Sequence, residues 1–225
     1  MNNLLIRSLA GLVFLLVVIA LALFIPAGSL AYWQAWVFLA VFGVCVLLIT
    51  IYLFRYDQGL LSRRTQAGPV AETNPAQKII QSFASLFFIL LIIVPGLDYR
   101  FHWSNLPPAV VVFSDLMVVL GLYSVFLVFR ANSYASGTIE VAEQQKVVTT
   151  GPYSLVRHPM YAGALLMLVF MPLALGSWIS VVFVVPMIFV LAARLLDEEK
   201  VLKTSLAGYE AYCQKVRYHL VPFIW

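Results

Sequence analysis

Six apolar runs, separated by short polar segments, dominate the pattern of hydrophobic and polar positions along the chain. They cover residues 8–25, 33–53, 79–97, 109–129, 161–175 and 178–193. Four approach the roughly 20 residues that an α-helix needs to cross a bilayer. The last two are shorter, and only Gly176 and Ser177 separate them, which predicts a tight helical hairpin. The pattern predicts an all-α polytopic membrane protein with about six transmembrane helices, and leaves open whether the hairpin crosses the bilayer completely.

The composition also indicates an integral membrane protein. Of the 225 residues, 63% are hydrophobic and 11% are charged, whereas soluble domains carry about 25% charged residues. The first run follows Arg7 and resembles a secretory signal, but it continues to Ile25, which favours a retained helix. The two cysteines, Cys45 and Cys213, indicate neither a disulfide framework nor a Cys-rich metal site.

The placement of basic residues predicts the orientation in the membrane. With the N-terminus inside, the predicted cytosolic segments hold 13 of the 14 Lys and Arg residues, and Arg100 is the exception. This bias follows the positive-inside rule. We therefore expect both termini in the cytoplasm, and a bacterial-type inner membrane as the location. Because the basic residues are spread among loops, they do not indicate a nucleic-acid surface.

Two polar segments interrupt the apolar C-terminal half. The first is residues 149–163, Thr-Thr-Gly-Pro-Tyr-Ser-Leu-Val-Arg-His-Pro-Met-Tyr-Ala-Gly, and the second is residues 194–199, Arg-Leu-Leu-Asp-Glu-Glu. Pro159 suits the first turn of a helix. His158 lies 18 residues before position 176 and Glu198 lies 22 residues after it, which corresponds to roughly 27 and 33 Å of helix. Both segments are therefore expected at the same, cytosolic end of the hairpin.

Together the two segments predict a polar pocket beside the lipid. Arg194 and Glu198 are four residues apart and share one helix face. A carboxylate can bind an ammonium group, N–H groups at a helix start favour an anion, and Tyr153 and Tyr161 can pack against an adenine or a cation. This chemistry fits a zwitterionic amino-acid cofactor. The sequence contains neither a G-x-G-x-x-G after a strand nor a G-x-x-x-x-G-K-[ST], which excludes a soluble-type nucleotide domain.

The same segments carry a family resemblance. Residues 147–153, Val-Val-Thr-Thr-Gly-Pro-Tyr, and residues 157–163 resemble the signature of isoprenylcysteine carboxyl methyltransferases and related phospholipid methyltransferases. So do Arg194, Glu198 and Glu199, followed by Tyr209, Tyr212 and residues 222–224. The first four runs resemble the family only as hydrophobic spans. The resemblance implies an N-terminal four-helix transmembrane region, 1–130, and a cofactor-binding region with the hairpin and a cytosolic tail, 131–225.

The resemblance implies S-adenosylmethionine as the methyl donor, bound at the cytosolic end of the hairpin. The residues implied to hold it are Gln145, Lys146, Val147, Val148, Tyr153, His158, Pro159, Met160, Tyr161 and Glu198. Gln145 departs from the family pattern, since eukaryotic members usually have a histidine there. Arg194 is implied to bind a substrate carboxylate, and Arg194, Glu198 and Arg157 are the candidate catalytic residues. No metal is implied.

Several reactions remain open. Carboxyl O-methylation of a lipid-like or isoprenylcysteine-type acceptor is favoured, because a carboxylate is already ionised at pH 7 and Arg194 would orient it. Phospholipid N-methylation would require the amine to lose a proton, to Glu199 or His158. The sequence is also compatible with an NADPH-dependent membrane reductase and with a non-enzymatic membrane component. The expected partners are a lipophilic or prenylated substrate and the bilayer, and the sequence leaves the oligomeric state open.

Two further segments are expected to be peripheral. Residues 55–78 read as a turn-rich, solvated connector without recognisable chemistry. The helix after Ala193 should continue out of the membrane and break near Gly208. A short amphipathic piece, 209–218, would then lie along the interface and cover the cofactor, with Tyr209 and Tyr212 as interfacial aromatic residues.

Overall fold

The structure is a computed structural model that describes residues 2–65, 72, 74–139 and 145–225, and the regular elements in these ranges are helical. The α-helices are α1 (Asn2–Ala27), α2 (Trp33–Tyr56), α3 (Gln58–Arg64), α4 (Pro75–Phe101), α5 (Pro108–Ala131), α6 (Pro159–Ala174), α7 (Val184–Ser205) and α8 (Tyr209–Lys215). Two 3₁₀ turns, Gly151–Ser154 and Ile179–Phe183, precede α6 and α7. The prediction of an all-α polytopic membrane protein is confirmed.

Among the described residues, five helical segments are long and apolar enough to cross a bilayer: Asn3–Ala27, Trp33–Tyr56, Pro75–Phe101, Pro108–Ala131 and Ile179–Ser205. Helix α6 has 16 residues and extends roughly 24 Å, against about 30 Å of hydrocarbon. It is bounded by Pro159 at its first position and by the turn at Gly176, whose φ of 77° suits glycine. The expected six transmembrane helices therefore become five long spans and one shorter helix in the hairpin.

Glycines allow the helices to approach closely. A Cβ on Gly121 would lie 2.7 Å from the carbonyl oxygen of Gly163, and a Cβ on Gly163 would lie 2.9 Å from the oxygen of Gly121. Small residues permit such close packing between membrane helices, here between α5 and α6. Between α1 and α4, a Cβ on Gly96 would meet the carbonyl oxygen of Leu23 at 2.5 Å. The main buried cluster contains residues of α1, α2, α4, α5, α6 and α7.

Asp98 holds the hairpin turn at one end of the bundle. Its carboxylate accepts hydrogen bonds from the backbone N–H and the hydroxyl of Ser104, at 2.6 and 2.5 Å, and from the hydroxyl of Ser177. Tyr32 donates a 2.5 Å hydrogen bond to the carbonyl oxygen of Leu175. We call this end, defined by Asp98, Ser104 and Ser177, the turn end. There the C-terminal end of α4 is bonded directly to the turn between α6 and α7.

The chain returns to the start of α6 at the opposite end, which we call the cavity end. Helix α7 continues to Ser205, and Gly208, with a φ of 83°, separates it from α8. Beyond α8, the carbonyl oxygens of Tyr218 and His219 accept 2.9 Å hydrogen bonds from the backbone N–H groups of Arg157 and His158. The two polar segments of the sequence therefore meet at the same end of the hairpin, as predicted. That this end faces the cytosol stays a prediction from the charge bias.

Candidate active site

A cavity opens at the cavity end, between the start of α6, the end of α7, α8 and the segments before α6. Its empty space measures about 810 Å³, a figure that includes the solvent at its open mouth. All ten residues implied to hold the methyl donor line it: Gln145, Lys146, Val147, Val148, Tyr153, His158, Pro159, Met160, Tyr161 and Glu198. The fold thus gathers around one cavity residues that are up to 53 positions apart in the sequence.

One 3₁₀ turn and the side chains bonded to it shape the wall that precedes α6. The 3₁₀ turn Gly151–Ser154 places Tyr153, whose hydroxyl accepts a 2.8 Å hydrogen bond from the side-chain amide of Asn132. The hydroxyl of Tyr212 donates to the backbone oxygen of Tyr153 at 2.8 Å. Burial raises the pKa of Tyr153 to about 12, so its hydroxyl remains protonated at neutral pH. This wall offers aromatic surface and neutral polar groups to a ligand.

Glu198 supplies a carboxylate to the cavity wall. One of its oxygens, Oε2, accepts a 2.7 Å hydrogen bond from the hydroxyl of Tyr161. The same hydroxyl accepts a 3.1 Å hydrogen bond from Nε of Arg194. Glu198 is one turn further along α7 than Arg194, which explains why both reach Tyr161. A carboxylate in this position can bind a cationic group of a ligand.

Arg194 lies behind this wall. The cavity lining formed by the described residues includes Tyr161 and Glu198 but not Arg194. Its guanidinium donates to the side-chain oxygen of Gln77 and to the backbone oxygen of Gly137, both at 2.9 Å. It also forms a 2.9 Å ion pair with Glu72, and both residues are buried. Its predicted contact with a substrate carboxylate stays a prediction, and in this structure its carboxylate partner is Glu72.

Arg157 and Glu199 tie the C-terminal tail to α6 and α7. Arg157 donates to the backbone oxygens of Cys213 and Val216, at 3.1 and 2.7 Å, and pairs with Glu199 at 3.2 Å. Glu199 also contacts the imidazole of His158, at 3.2 Å. Arg157 lines the cavity as well, so its predicted catalytic role stays open. Its polar contacts describe a clamp between the tail and the hairpin.

His219 brings a second imidazole to this clamp. Its Nε2 lies 3.4 Å from Oε1 of Glu199. Burial lowers the pKa of His219, against the opposing effect of the Glu199 carboxylate. The ring is therefore expected to be neutral at pH 7, and Arg157 supplies the fixed positive charge beside Glu199.

Tyr209 and Tyr212 belong to the cavity, and their prediction as interfacial aromatic residues is wrong. They are 4% and 3% exposed, and both line the cavity. They pack in one cluster with Leu206 and Val216. Their spacing of three residues directly after the helix break at Gly208 was the available signal, since it places both rings on one face of α8.

The connector between α2 and α4 also contributes to this end, contrary to the prediction that it carries no chemistry. It contains α3, whose first turn is capped by the Asp57 carboxylate accepting from the N–H of Leu60. Arg64, predicted to be solvated, donates to the backbone oxygen of Ser136 at 3.0 Å. Glu72 reaches Arg194. These contacts depend on tertiary structure, and the connector's own sequence pattern gave no sign of them.

Comparison with known proteins gives one family. Residues 109–207 match the family model described as phospholipid methyltransferase. The search of curated proteins found no match. The matched region runs from the first turn of α5 to the end of α7, so it contains both polar segments of the sequence and ends before α8. The resemblance inferred from those two segments is confirmed.

Proposed function

Because residues 109–207 match the family model described as phospholipid methyltransferase, we propose that this protein transfers a methyl group from S-adenosylmethionine to a lipid-like acceptor at the membrane surface. The observation that carries the proposal is the cavity, because the ten residues implied to hold the methyl donor line a single space. They come from three separate parts of the sequence, 145–148, 153–161 and 198.

The lining suits the parts of the proposed donor. Glu198 would hold the ammonium group, and the start of α6 at Pro159 would favour the carboxylate. Tyr153, Tyr209 and the valine pair at 147–148 offer aromatic and apolar surface for the adenosine part. The residues present therefore fit this cofactor.

The reaction requires alignment more than acid–base chemistry. S-adenosylmethionine supplies a methyl group on a sulfonium; the acceptor's lone pair forms the new bond to carbon, and the electrons of the broken C–S bond remain on sulfur. Holding two reactants in line contributes more to such a displacement than proton transfer does. Glu198, fixed by Tyr161, and the wall around Tyr153 would perform this positioning.

An open groove supports a lipid-like acceptor. It encloses about 1410 Å³, mouth included, between the end of α5, the start of α6 and the tail. Leu155, Leu166 and Leu220 give it an apolar surface, and Arg130 adds a positive charge. Pro159 lines both this groove and the cavity. An apolar chain would lie in the groove while an anionic part of the acceptor contacts Arg130.

An assay with purified protein in lipid nanodiscs would identify which chemical group accepts the methyl. Labelled methyl donor is supplied with membrane lipid extract or with an isoprenylcysteine analogue, and the product is treated with alkali. A carboxyl methyl ester releases its label as methanol, whereas a methylated amine retains it. We propose carboxyl O-methylation, because a carboxylate is already ionised at pH 7 and needs no general base, and alkali-stable label in phospholipid would identify N-methylation instead.

Cofactor binding tests the proposal before any acceptor is known. S-adenosylhomocysteine should raise the melting temperature in a concentration-dependent way, because it binds the folded state. Glu198→Gln should abolish most of this shift. Glu210→Gln, which makes the same substitution at an exposed residue of α8, should retain it. A shift caused by NADPH, and not by S-adenosylhomocysteine, would replace the proposal with a membrane reductase.

A further inference from the structure

Arg194 is enclosed by acceptors from four different parts of the chain. Its Nε donates to Tyr161 at 3.1 Å, its Nη1 to Gln77 at 2.9 Å, and its Nη2 to Gly137 and Glu72, both at 2.9 Å. The residue is 9% exposed. Four of its five N–H groups are thus engaged, which fixes the guanidinium in position. An acceptor molecule that took the place of the Glu72 carboxylate would have to displace it.

The hydroxyl of Tyr161 joins this guanidinium to the cavity. Arginine can only donate, so the Tyr161 oxygen accepts from Nε of Arg194. The single hydroxyl proton is then directed to Oε2 of Glu198, at 2.7 Å. The direction of both hydrogen bonds is therefore set by the fixed charge of Arg194, and Glu198 always meets a donor on its Oε2 side.

Glu72 compensates the buried positive charge of Arg194, which it contacts at Nη2. It is 3% exposed and comes from the connector before α4. The side-chain amide of Gln81 donates to the same carboxylate oxygen, Oε1, at 3.1 Å. A buried arginine without such a partner would be strongly destabilised. Glu72 is thus the group that keeps Arg194 in place behind Tyr161.

We propose that Glu72 and Arg194 are positioning residues that act through Tyr161 to hold Glu198 in the orientation that receives the cationic group of the methyl donor. The inference rests on the proposed function and adds to it a role for the connector between α2 and α4. It also predicts that Arg194 contributes to cofactor affinity and not to the binding of the acceptor. The relay runs Glu72, Arg194, Tyr161, Glu198, and each link is a contact of 2.7–3.1 Å.

A double-mutant cycle on S-adenosylhomocysteine binding, measured by calorimetry in nanodiscs, tests the relay. Tyr161→Phe removes the link and should weaken binding about tenfold, as expected for one hydrogen bond to a charged group. Glu72→Gln should weaken it by about threefold to tenfold. In the Tyr161→Phe background, Glu72→Gln should have no further effect, because residues that act through one contact are not additive. Glu210→Gln serves as the control for loss of a carboxylate.

Three outcomes separate the inference from the proposed function. If the unaltered protein binds no S-adenosylhomocysteine, the proposed function and the inference fail together. If it binds, but the fold-changes that the two substitutions cause in the dissociation constant multiply in the double variant, the relay is wrong and the proposed function stands. The same holds if neither substitution changes the dissociation constant. A steady-state assay of Arg194→Lys gives an independent reading: the relay predicts a raised KM for the methyl donor, and a raised KM for the acceptor alone would overturn it in favour of direct acceptor binding.

Discussion

At the turn end of the bundle the carboxylate of Asp98 is enclosed by serine groups, whereas at the cavity end the carboxylate of Glu198 lies on the wall of an open space. Asp98 is 2% exposed and accepts three hydrogen bonds from Ser104 and Ser177. Glu198 is half-buried and lines the cavity. A carboxylate that is buried requires hydrogen-bond partners, and both carboxylates have them.

The difference between the two ends lies in where those partners come from. The partners of Asp98 are short side chains and a backbone N–H group, which close the site completely. Glu198 is held on one oxygen by Tyr161, and it shares the open cavity with Tyr209 and Tyr212 of α8. The comparison indicates that the turn end stabilises the hairpin, while the cavity end uses the hairpin to support the wall where we propose that the methyl donor binds.

The largest effect should come from removing the cavity carboxylate. Glu198→Ala deletes the predicted partner of the donor's ammonium group, and contacts to charged groups are worth about 1.5–3 kcal/mol. We expect S-adenosylhomocysteine to bind roughly ten- to a hundredfold more weakly, as measured by calorimetry. The melting temperature without ligand should change little, because Tyr161 also lines the open cavity, where water can replace the lost acceptor of its hydroxyl. Unchanged affinity would assign the ligand to another part of the cavity.

The matching change at the turn end should affect stability and leave binding intact. Asp98→Ala leaves the donors of Ser104 and Ser177 buried without their acceptor, at a cost of about 2–3 kcal/mol. Thermal denaturation in nanodiscs should show this loss, while the dissociation constant for S-adenosylhomocysteine stays within about twofold. A large drop in affinity with normal stability would contradict the division of labour between the ends.

A smaller effect is expected where the two ends are connected, along the contact between α5 and α6. A Cβ on Gly163 would lie 2.9 Å from the backbone oxygen of Gly121, so Gly163→Ala must push the helices apart, at about 1–2 kcal/mol. Gly11→Ala is the control, since a Cβ there meets no atom within 4 Å. We expect a lower melting temperature for the first variant alone. Equal behaviour of the two variants would exclude close packing as the reason for the glycine.

Much of the candidate site could be predicted because its residues are close in sequence or repeat a helical period. Pro159, His158 and Tyr153 lie within one polar segment, and Glu198 follows Arg194 by one helical turn. The length of the hairpin arms then sufficed to bring both segments to one end. The two polar segments predicted the family, and the apolar runs predicted the fold class.

The sequence by itself determined the apolar runs, the breaks at Gly176 and Gly208, and the two polar segments, because these depend on local conformation and on the length of a helix. The tertiary structure alone decided that Glu72 pairs with Arg194, that Arg157 binds the tail, and that Tyr209 and Tyr212 turn inward. These contacts join parts of the chain as much as 122 residues apart. A buried ion pair leaves no periodic pattern along the chain, since its partners need only meet after the helices have packed.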